Sequence, residues 1–178
     1  MISFGRRCGT LLIGLAGSGL LLLGAPPADP TAPGTVAVPT VSADIVPVSR
    51  ATPSTAEQRS AVLAATNAER RKAGCAALTT TSKLTGVAQA HATDMAVQNY
   101  FSHTSQDGRS FGTRIRSTGL SFRTAGENIA RGQRTPAEVV RAWMNSAGHR
   151  RNLLNCAFTR IGVGWDSRGN YWVQDFIG

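Results

Sequence analysis

Three side chains in the second half of the chain are suited to metal or proton chemistry, and they are His103, Glu127 and His149. They stand in the segments FSHTSQDG, GENIA and NSAGHRRNLLN, and steps of 24 and 22 residues separate them. These steps are too long for a local zinc motif, whose ligands lie a few residues apart. Each of the three, however, lies at the edge of a predicted helix or in a glycine-containing break, from which side chains reach clefts. We therefore expect the fold to bring them together.

Two alternatives use the same segments differently. In the first, the residues are structural: Glu127 fixes a loop by accepting backbone hydrogen bonds, and each histidine bonds a neighbouring backbone group. In the second, the chain is a serine hydrolase that draws on Ser102, Ser105, Ser146 and Asp107. The chain has no G-x-S-x-G nucleophile elbow, and neighbours in sequence rarely face each other as a triad requires. The sequence therefore disfavours the serine hydrolase.

The elements that must position these residues begin with three predicted helices. The first covers TAEQRSAVLAATNAERRKAG, with Thr55 as its N-cap, Gln58 completing a capping box and Gly74 ending it. The second is capped by Ser82, and a third, short helix starts near Ser110. One face of the second helix is predicted to be buried, and it carries Leu84, Val87, Ala88, His91, Met95 and Ala96.

The remaining elements are one more helix and a hairpin. The fourth helix covers RTPAEVVRAWMNSAGHR, with Thr135 as its N-cap, Pro136 in the first turn and Glu138 at the capping-box position. The last segments, RIGVGWD and NYWVQDFIG, are rich in β-branched and aromatic residues and flank SRG, which is typical of an antiparallel hairpin. The segment AGENIARG fits neither pattern. Helices followed by strands indicate an α+β layered domain.

The first 55 residues differ in composition from the rest. Residues 1–25 contain Arg6, Arg7 and an apolar run, which predict an export signal and an extracellular or cell-envelope location. The run is short for a membrane span, which needs about 20 residues, but an uncleaved anchor is the alternative. Residues 26–55 are rich in Pro, Ala and Thr without periodicity and are predicted to be a disordered linker. Residues 56–178 are predicted to form one domain, which we expect to be a monomer.

The charge of the predicted domain is strongly positive. From residue 51 onward there are 16 Lys and Arg residues against 8 Asp and Glu residues. This excess favours an anionic partner such as a cell-envelope polymer or lipid headgroups, although an arginine-biased exported protein would look the same. The basic residues do not alternate with aromatic residues, and no nucleic-acid motif is present, so we expect no nucleic-acid partner.

The cysteines predict a disulfide. Two of the three cysteines, Cys75 and Cys156, remain once the export signal is removed. An even count in an exported domain indicates pairing between them. A metal pair is the alternative, but neither cysteine has a second Cys or His at zinc-finger spacing.

Four ordered motifs together resemble a known family. YFSHTSQDG, AGENIARG, AWMNSAGHRRNLLN and IGVGW followed by YWVQDF occur in this order in the CAP superfamily of cysteine-rich secretory, antigen 5 and pathogenesis-related proteins, also called SCP domains. The resemblance covers residues 58–177 and is strongest to the bacterial secreted branch. It implies a three-layer α-β-α sandwich with a central antiparallel sheet and a large surface cleft.

The resemblance also assigns the cleft residues. The family carries two histidines and two glutamates there, and His103, Glu127 and His149 match three of these four positions. The second glutamate follows the helix tryptophan by three residues, and here that position after Trp143 is Ser146. Glu138 is not its replacement, because Glu138 precedes the tryptophan and is expected to cap its own helix.

The three matched residues allow two functions. Neutral imidazoles of His103 and His149 could hold a divalent ion such as zinc, and Glu127 could bind the ion or act as a general base on water. The family includes lipid and sterol binders, signalling and defence proteins, and some proteases. The absence of an acid at Ser146 favours a non-catalytic module that binds an apolar small ligand, a wall component or a protein. A metal-dependent hydrolase that uses Glu127 as its base is the alternative.

Overall fold

The computed structural model describes residues 52–178, so the predicted export signal and most of the predicted linker lie outside the described residues. The elements in chain order are α1 (Thr55–Lys72), α2 (Ser82–Val97), α3 (Phe111–Arg116), β1 (Ala125–Arg131), α4 (Pro136–Asn145), α5 (Ala147–Leu153), β2 (Arg160–Asp166) and β3 (Tyr171–Ile177). None of the helices in this part of the chain has the length and apolar character that a membrane crossing requires.

The first helix begins one residue earlier than the sequence predicted. Ser54 is the N-cap, and it forms a capping box with Glu57, so the prediction of Thr55 and Gln58 was wrong. The reason is burial: Gln58 is only 7% exposed and lies on the inner face of α1, where it cannot reach back to the cap. Gly74 follows the helix with a positive φ of 76°, as a helix-ending glycine does.

The N-caps of α2, α3 and α4 are also Ser or Thr side chains that accept a backbone hydrogen bond. Thr81, and not Ser82, caps α2 by accepting a hydrogen bond from the backbone N–H of Leu84. The predicted cap of α4 and the predicted start of α3 near Ser110 are confirmed, because the side chains of Ser110 and Thr135 each accept from the backbone N–H three residues on.

The predicted fourth helix is two helices. It breaks at Ser146, whose extended backbone (φ −100°, ψ 120°) ends α4 and starts α5. Asn128 and Asn152 explain why α5 takes its own direction, because the Asn152 Nδ2 donates to the Asn128 Oδ1 at 2.9 Å and to the Glu127 carbonyl oxygen at 3.1 Å. These bonds hold α5, which carries His149, against β1.

The three strands form an antiparallel sheet in the order β1-β3-β2. The hairpin of β2 and β3 was predicted, whereas β1 is the segment AGENIARG that fitted no pattern. Helices cover both faces. On one face, Trp172 and Phe176 pack with Trp143 of α4 and Val62 of α1. On the other face, Val173 packs with residues of α2. This arrangement confirms the predicted α+β fold, a three-layer α-β-α sandwich with a central antiparallel sheet.

Two glycines let α2 lie directly on the sheet. A Cβ atom at Gly162 or Gly164 of β2 would come within 2.2 Å of the carbonyl oxygens of Leu84 and Ala88 on α2. Only glycine fits at such a close approach of backbones. The contact fixes the height of α2 above the sheet, and with it the position of His91 on the same helix.

A disulfide joins Cys75 to Cys156, whose Cα atoms are 5.0 Å apart although the cysteines are 81 residues apart in sequence. It links the segment after α1 to the connection between α5 and β2. The buried guanidinium of Arg70 reinforces the same junction by donating to the carbonyl oxygens of Leu153 at 2.8 Å and Phe158 at 3.0 Å. The predicted pairing is confirmed.

Candidate functional site

Glu127 is the centre of the candidate site. It lies in the middle of β1, and its side chain is completely buried. Its Oε1 atom is 2.7 Å from the Nδ1 atom of His103, and its Oε2 atom accepts a hydrogen bond from the Nη2 atom of Arg114. A buried carboxylate is costly unless it is paired, and the guanidinium of Arg114 supplies that pairing. Both oxygens of Glu127 are therefore engaged within the protein.

His103 lies in the loop after α2, with about half of its side chain exposed (51%). Because its Nδ1 atom faces the Glu127 carboxylate, the proton of a neutral ring sits on Nδ1 and the Nε2 lone pair remains available. This is the arrangement by which a carboxylate orients a metal-binding histidine. Arg114 also donates to the backbone carbonyl oxygen of His103 at 3.0 Å, so one guanidinium fixes both the loop and the carboxylate.

His149 lies on α5 and is partly buried. Partial burial lowers the pKa of His149, and the charge that His103 carries when protonated lowers it further. With its pKa lowered, the imidazole of His149 is neutral at pH 7. The backbone of His149 is held by Asn128, whose Nδ2 atom donates to the His149 carbonyl oxygen at 3.2 Å.

The donor set limits what kind of ion would fit. Within residues 52–178, no group of three or more His, Cys, Asp and Glu side chains is arranged to hold an ion. The Nε2 atom of His103 and the ring of His149 are the available nitrogen ligands, and Glu127 stands behind His103. An ion held here would have the two histidines as its protein ligands, and Glu127 would orient His103 instead of binding the ion.

Asp175 is a site residue that the sequence analysis missed. It lies directly opposite Glu127 in the register of β1 and β3 and is completely buried. Neither of its carboxyl oxygens has a hydrogen-bond partner among the described residues. Burial raises the pKa of Asp175 well above its usual range, the charge of Glu127 raises it further, and Arg114 offsets part of the effect. Asp175 is therefore the protonated member of the pair, and Glu127, which Arg114 touches, is the charged member.

His91 supports the loop that carries His103. Its Nε2 atom lies 2.9 Å from the Ser102 carbonyl oxygen and 4.0 Å from the Glu127 Oε2 atom. Burial lowers the pKa of His91, although the charge of Glu127 partly opposes that shift. The ring is neutral at pH 7 and donates its Nε2 proton to the carbonyl oxygen. A histidine on the apolar face of a predicted helix was the signal that could have pointed to this residue.

The serines and Asp107 form no triad. Ser105 accepts a hydrogen bond from Arg114, the Ser102 hydroxyl accepts from the Thr104 backbone, and Asp107 pairs with Arg109. Glu138 lies at the N-terminus of α4 as predicted, but its carboxylate accepts from the backbone N–H of Arg134, the residue before the N-cap, so the reciprocal bond of the predicted capping box goes to Arg134 instead of Thr135.

Comparisons with known proteins identify the family. Residues 63–176 match the CAP family, described as the cysteine-rich secretory protein family. Among curated proteins, Bacillus subtilis YkwD is 51% identical over 117 residues, which are 66% of this chain and 46% of YkwD. Bacillus subtilis YlbC, described as a membrane protein, is 40% identical over 65% of this chain and 33% of YlbC. The chain thus spans less than half the length of these relatives.

Solved structures agree with the sequence matches. An extracellular SCP-domain protein from Bacillus anthracis is 35% identical with a TM-score of 0.64, over 67% of this chain and 40% of that protein. An outer surface protein from Borrelia burgdorferi is 25% identical with a TM-score of 0.65, over 70% of this chain and 95% of that protein. The chain belongs to the CAP family of cysteine-rich secretory proteins.

Proposed function

We propose that this chain is an exported, non-catalytic binding module of the CAP family, with a cleft formed by His103, Glu127 and His149 that can hold a divalent ion. The observation that carries this proposal is the state of Glu127, whose carboxylate is completely buried and engaged at both oxygens. The ion, when bound, would supply a Lewis-acidic centre to which an oxygen atom of the extracellular ligand could attach.

The geometry supports binding over hydrolysis. A general base must come within hydrogen-bond reach of the proton that it removes. Glu127 has no exposed side-chain surface, and Arg114 and His103 already occupy its oxygens. At the position where the family carries a second glutamate, Ser146 supplies only a hydroxyl. The cleft therefore holds imidazole nitrogens for binding and lacks a free carboxylate for water activation.

Three observations support export and an anionic ligand. The similar proteins from Bacillus anthracis and Borrelia burgdorferi are described as extracellular and outer surface proteins. The disulfide between Cys75 and Cys156 is a bond that persists in oxidising compartments. Arg150 and Arg151, which follow His149 on α5, are exposed and positively charged. An anionic component of the cell envelope fits this surface better than a neutral one.

Calorimetric titration of the purified protein with zinc chloride at neutral pH tests the cleft. Wild type should bind one ion weakly, and His103→Ala and His149→Ala should each abolish the binding. Gln106→Ala changes an exposed residue of the same loop and should bind as wild type does, which separates ligand loss from loop damage. Unchanged binding in His103→Ala would overturn the ion site. Zinc-dependent hydrolysis of casein or ester substrates that is lost in Glu127→Gln would overturn the non-catalytic assignment.

A further inference from the structure

A second cavity lies beside Arg114. Its volume is about 530 Å³, and its walls are α2, the loop of residues 105–109 and the end of α3. Its lining includes Lys83, Asp94, Arg109 and Arg114, and none of the three cleft residues belongs to it. The volume falls within the range of about 300–1,000 Å³ that small-molecule sites occupy.

Two buried groups that line this cavity have unused hydrogen-bonding atoms. The Nδ1 atom of His91 and the Nε atom of Arg114 have no hydrogen-bond partner among the described residues, although their residues are only 1% and 6% exposed. Because the Nε2 atom of the His91 ring donates to the Ser102 carbonyl oxygen, Nδ1 is an acceptor, whereas the Arg114 Nε atom is a donor. Buried polar atoms without partners are rare, and these two give the wall of the cavity a polar character that the described residues do not fully satisfy.

Gly86 leaves open space at the floor of the cavity, although glycine lowers the stability of a helix. Gly86 lies in the middle of α2, where glycine is unfavourable by about 1 kcal/mol relative to alanine. A Cβ atom at Gly86 would have no atom within 4 Å, so packing does not require glycine there. Gly86 and Ala90 lie one turn apart and both line the cavity, which gives it a smooth floor against which a ring could lie.

The charges of the lining favour an anion. The lining carries one carboxylate, Asp94, whose Oδ2 atom already accepts the hydroxyl of Tyr100. Of its three cationic residues, Arg114 is paired with Glu127, so Lys83 and Arg109 are the ones that can meet a ligand. Lys83 is exposed and forms no ion pair within residues 52–178. Arg109 pairs, among the described side chains, only with Asp107, through its Nε atom. Two cationic side chains at the rim therefore have donors left for a ligand.

The lining also offers acceptors that a simple anion would not use. The hydroxyl groups of Ser117 and Thr118 donate to the backbone carbonyl oxygens of Arg114 and Ile115, both at 2.7 Å, which leaves their lone pairs free. These lone pairs and Asp94 can accept hydrogen bonds from donors on a ligand. A ligand that carries hydroxyl groups as well as a negative charge meets both needs.

We propose that this cavity binds a small hydroxylated anion, namely a sugar acid or a sugar phosphate. The anionic group would pair with Lys83 and Arg109, the hydroxyl groups would meet the acceptors of α2 and α3, and the sugar ring would lie on Gly86 and Ala90. The proposal does not rest on ion binding in the His103 cleft, because Lys83, Arg109, Gly86 and Ala90 contact none of the cleft residues in the hydrogen bonds and ion pairs described, whereas Arg114 and His91 adjoin both sites.

Calorimetry on the unmodified protein with four probes tests the ligand class. Glucuronate or glucose 6-phosphate, or both, should bind, whereas glucose and inorganic phosphate should bind at least tenfold more weakly. Binding of glucuronate alone identifies a carboxylate site, and binding of glucose 6-phosphate alone identifies a phosphate site. Equal affinity for inorganic phosphate would show that only charge is recognised, and equal affinity for glucose would show that charge is irrelevant. Either of these two results would overturn the proposal, and so would a failure of both glucuronate and glucose 6-phosphate to bind.

Labelling the lysines tests where the ligand binds. The sequence contains two lysines, Lys72 and Lys83, so reductive methylation with ¹³C-formaldehyde gives two lysine signals besides that of the terminal amine. The acid that binds should shift the Lys83 signal saturably and leave the Lys72 signal in place, because Lys72 is paired with Glu69 on α1. Parallel shifts of both lysine signals would indicate non-specific association and contradict the site.

Variants then test the floor and the rim. Lys83→Ala should weaken binding of the acid at least fivefold, and Gly86→Leu, which fills the floor, at least tenfold. Lys72→Ala is the matched control, because it removes the other lysine without touching the cavity, and it should bind as wild type does. Both substituted positions are exposed, so folding should persist, and unchanged affinity in Gly86→Leu would place the ligand elsewhere.

Discussion

Glu127 and Asp175 face each other across β1 and β3 as register partners, and both carboxyl groups are buried. Two adjacent buried carboxyl groups cannot both be charged at low cost, so their environments divide the roles. Arg114 and His103 contact Glu127, and Asp175 has no hydrogen-bond partner among the described residues. The charge therefore sits on Glu127 and the proton on Asp175.

This division predicts how Asp175→Asn changes stability. The pKa of Asp175 is raised in the folded protein, so the folded state keeps a proton that the unfolded state releases above about pH 3.9. Wild type should therefore lose stability as pH rises from that value towards the folded-state pKa. Asparagine mimics the protonated acid and does not titrate. In this window, the free energy of unfolding of the variant relative to that of wild type should increase by about 1.4 kcal/mol per pH unit.

Urea denaturation between pH 4 and pH 8 measures the difference. Asp107→Asn is the control, because Asp107 is exposed and its pKa is lowered, mainly by the Arg109 backbone N–H and side chain, so this variant should not gain stability with rising pH. If Asp175→Asn were less stable than wild type by the same amount at every pH, the assignment of the proton to Asp175 would be contradicted.

Arg114 is expected to be the most sensitive polar residue of the domain. Arg114→Met leaves the Glu127 carboxylate buried without its cation, which should cost about 3–5 kcal/mol of the free energy of unfolding. Arg116→Met on the same helix is the matched control. Arg116 is exposed and lies over the Phe122 ring at 4.5 Å, so its loss should cost less than about 1 kcal/mol.

A double variant separates the contribution of the ion pair between Arg114 and Glu127 from that of the other Arg114 contacts. Arg114→Met combined with Glu127→Gln removes both charges and should recover more than half of the loss, as seen by chemical denaturation. Strictly additive losses would show that the Arg114 hydrogen bonds to loop carbonyls, and not its pairing with Glu127, carry the stability.

Gly162 and Gly86 give a paired test of the contact between α2 and the sheet. A Cβ atom at Gly162 would lie 2.2 Å from the Leu84 carbonyl oxygen, and the backbone of α2 cannot yield locally. Gly162→Ala should therefore destabilise the domain by at least about 1–3 kcal/mol. Gly86→Ala adds the same methyl group to open space and should stabilise it by about 0.5–1 kcal/mol. Thermal unfolding of both variants checks the opposite signs, and equal signs would contradict the packing.

Local signals in the sequence predicted most of the helices. Thr135 caps α4 and α3 starts beside Ser110 as expected, because helix starts depend on residues within one turn. The strand β1 escaped prediction because AGENIARG is short, begins next to a glycine and has mixed polarity. It is a strand because β3 pairs with it, and such tertiary pairing outweighs local propensity. The break at Ser146 likewise has no glycine or proline to mark it.

The candidate site could be predicted only in part. The motif resemblance pointed to His103, Glu127 and His149, and the structure shows that Glu127 contacts His103 directly. Arg114 and Asp175 were missed for physical reasons. An arginine on a short amphipathic helix usually faces water, and an aspartate in a strand becomes a partner of Glu127 only when β1 is known to lie beside β3.

Ser146→Glu tests whether the absence of one acid limits ion binding. The substitution introduces a carboxylate at the position where the family has its second glutamate, three residues before His149. The Ser146 side chain makes no capping hydrogen bond to α5, so its removal costs little, and a negative charge is favourable at that helix N-terminus. A third ligand beside the two imidazoles should strengthen zinc binding by about tenfold or more, equivalent to about 1.4 kcal/mol.

Asn145→Glu is the control, because it places the same charge one residue earlier, at an exposed position, and should change the affinity for zinc far less. Calorimetric titration of both variants at pH 7.5 distinguishes coordination from general electrostatic attraction. An equal increase in both variants, or an increase in Ser146→Glu that survives His103→Ala, would show that the added acid does not complete a site with the histidines.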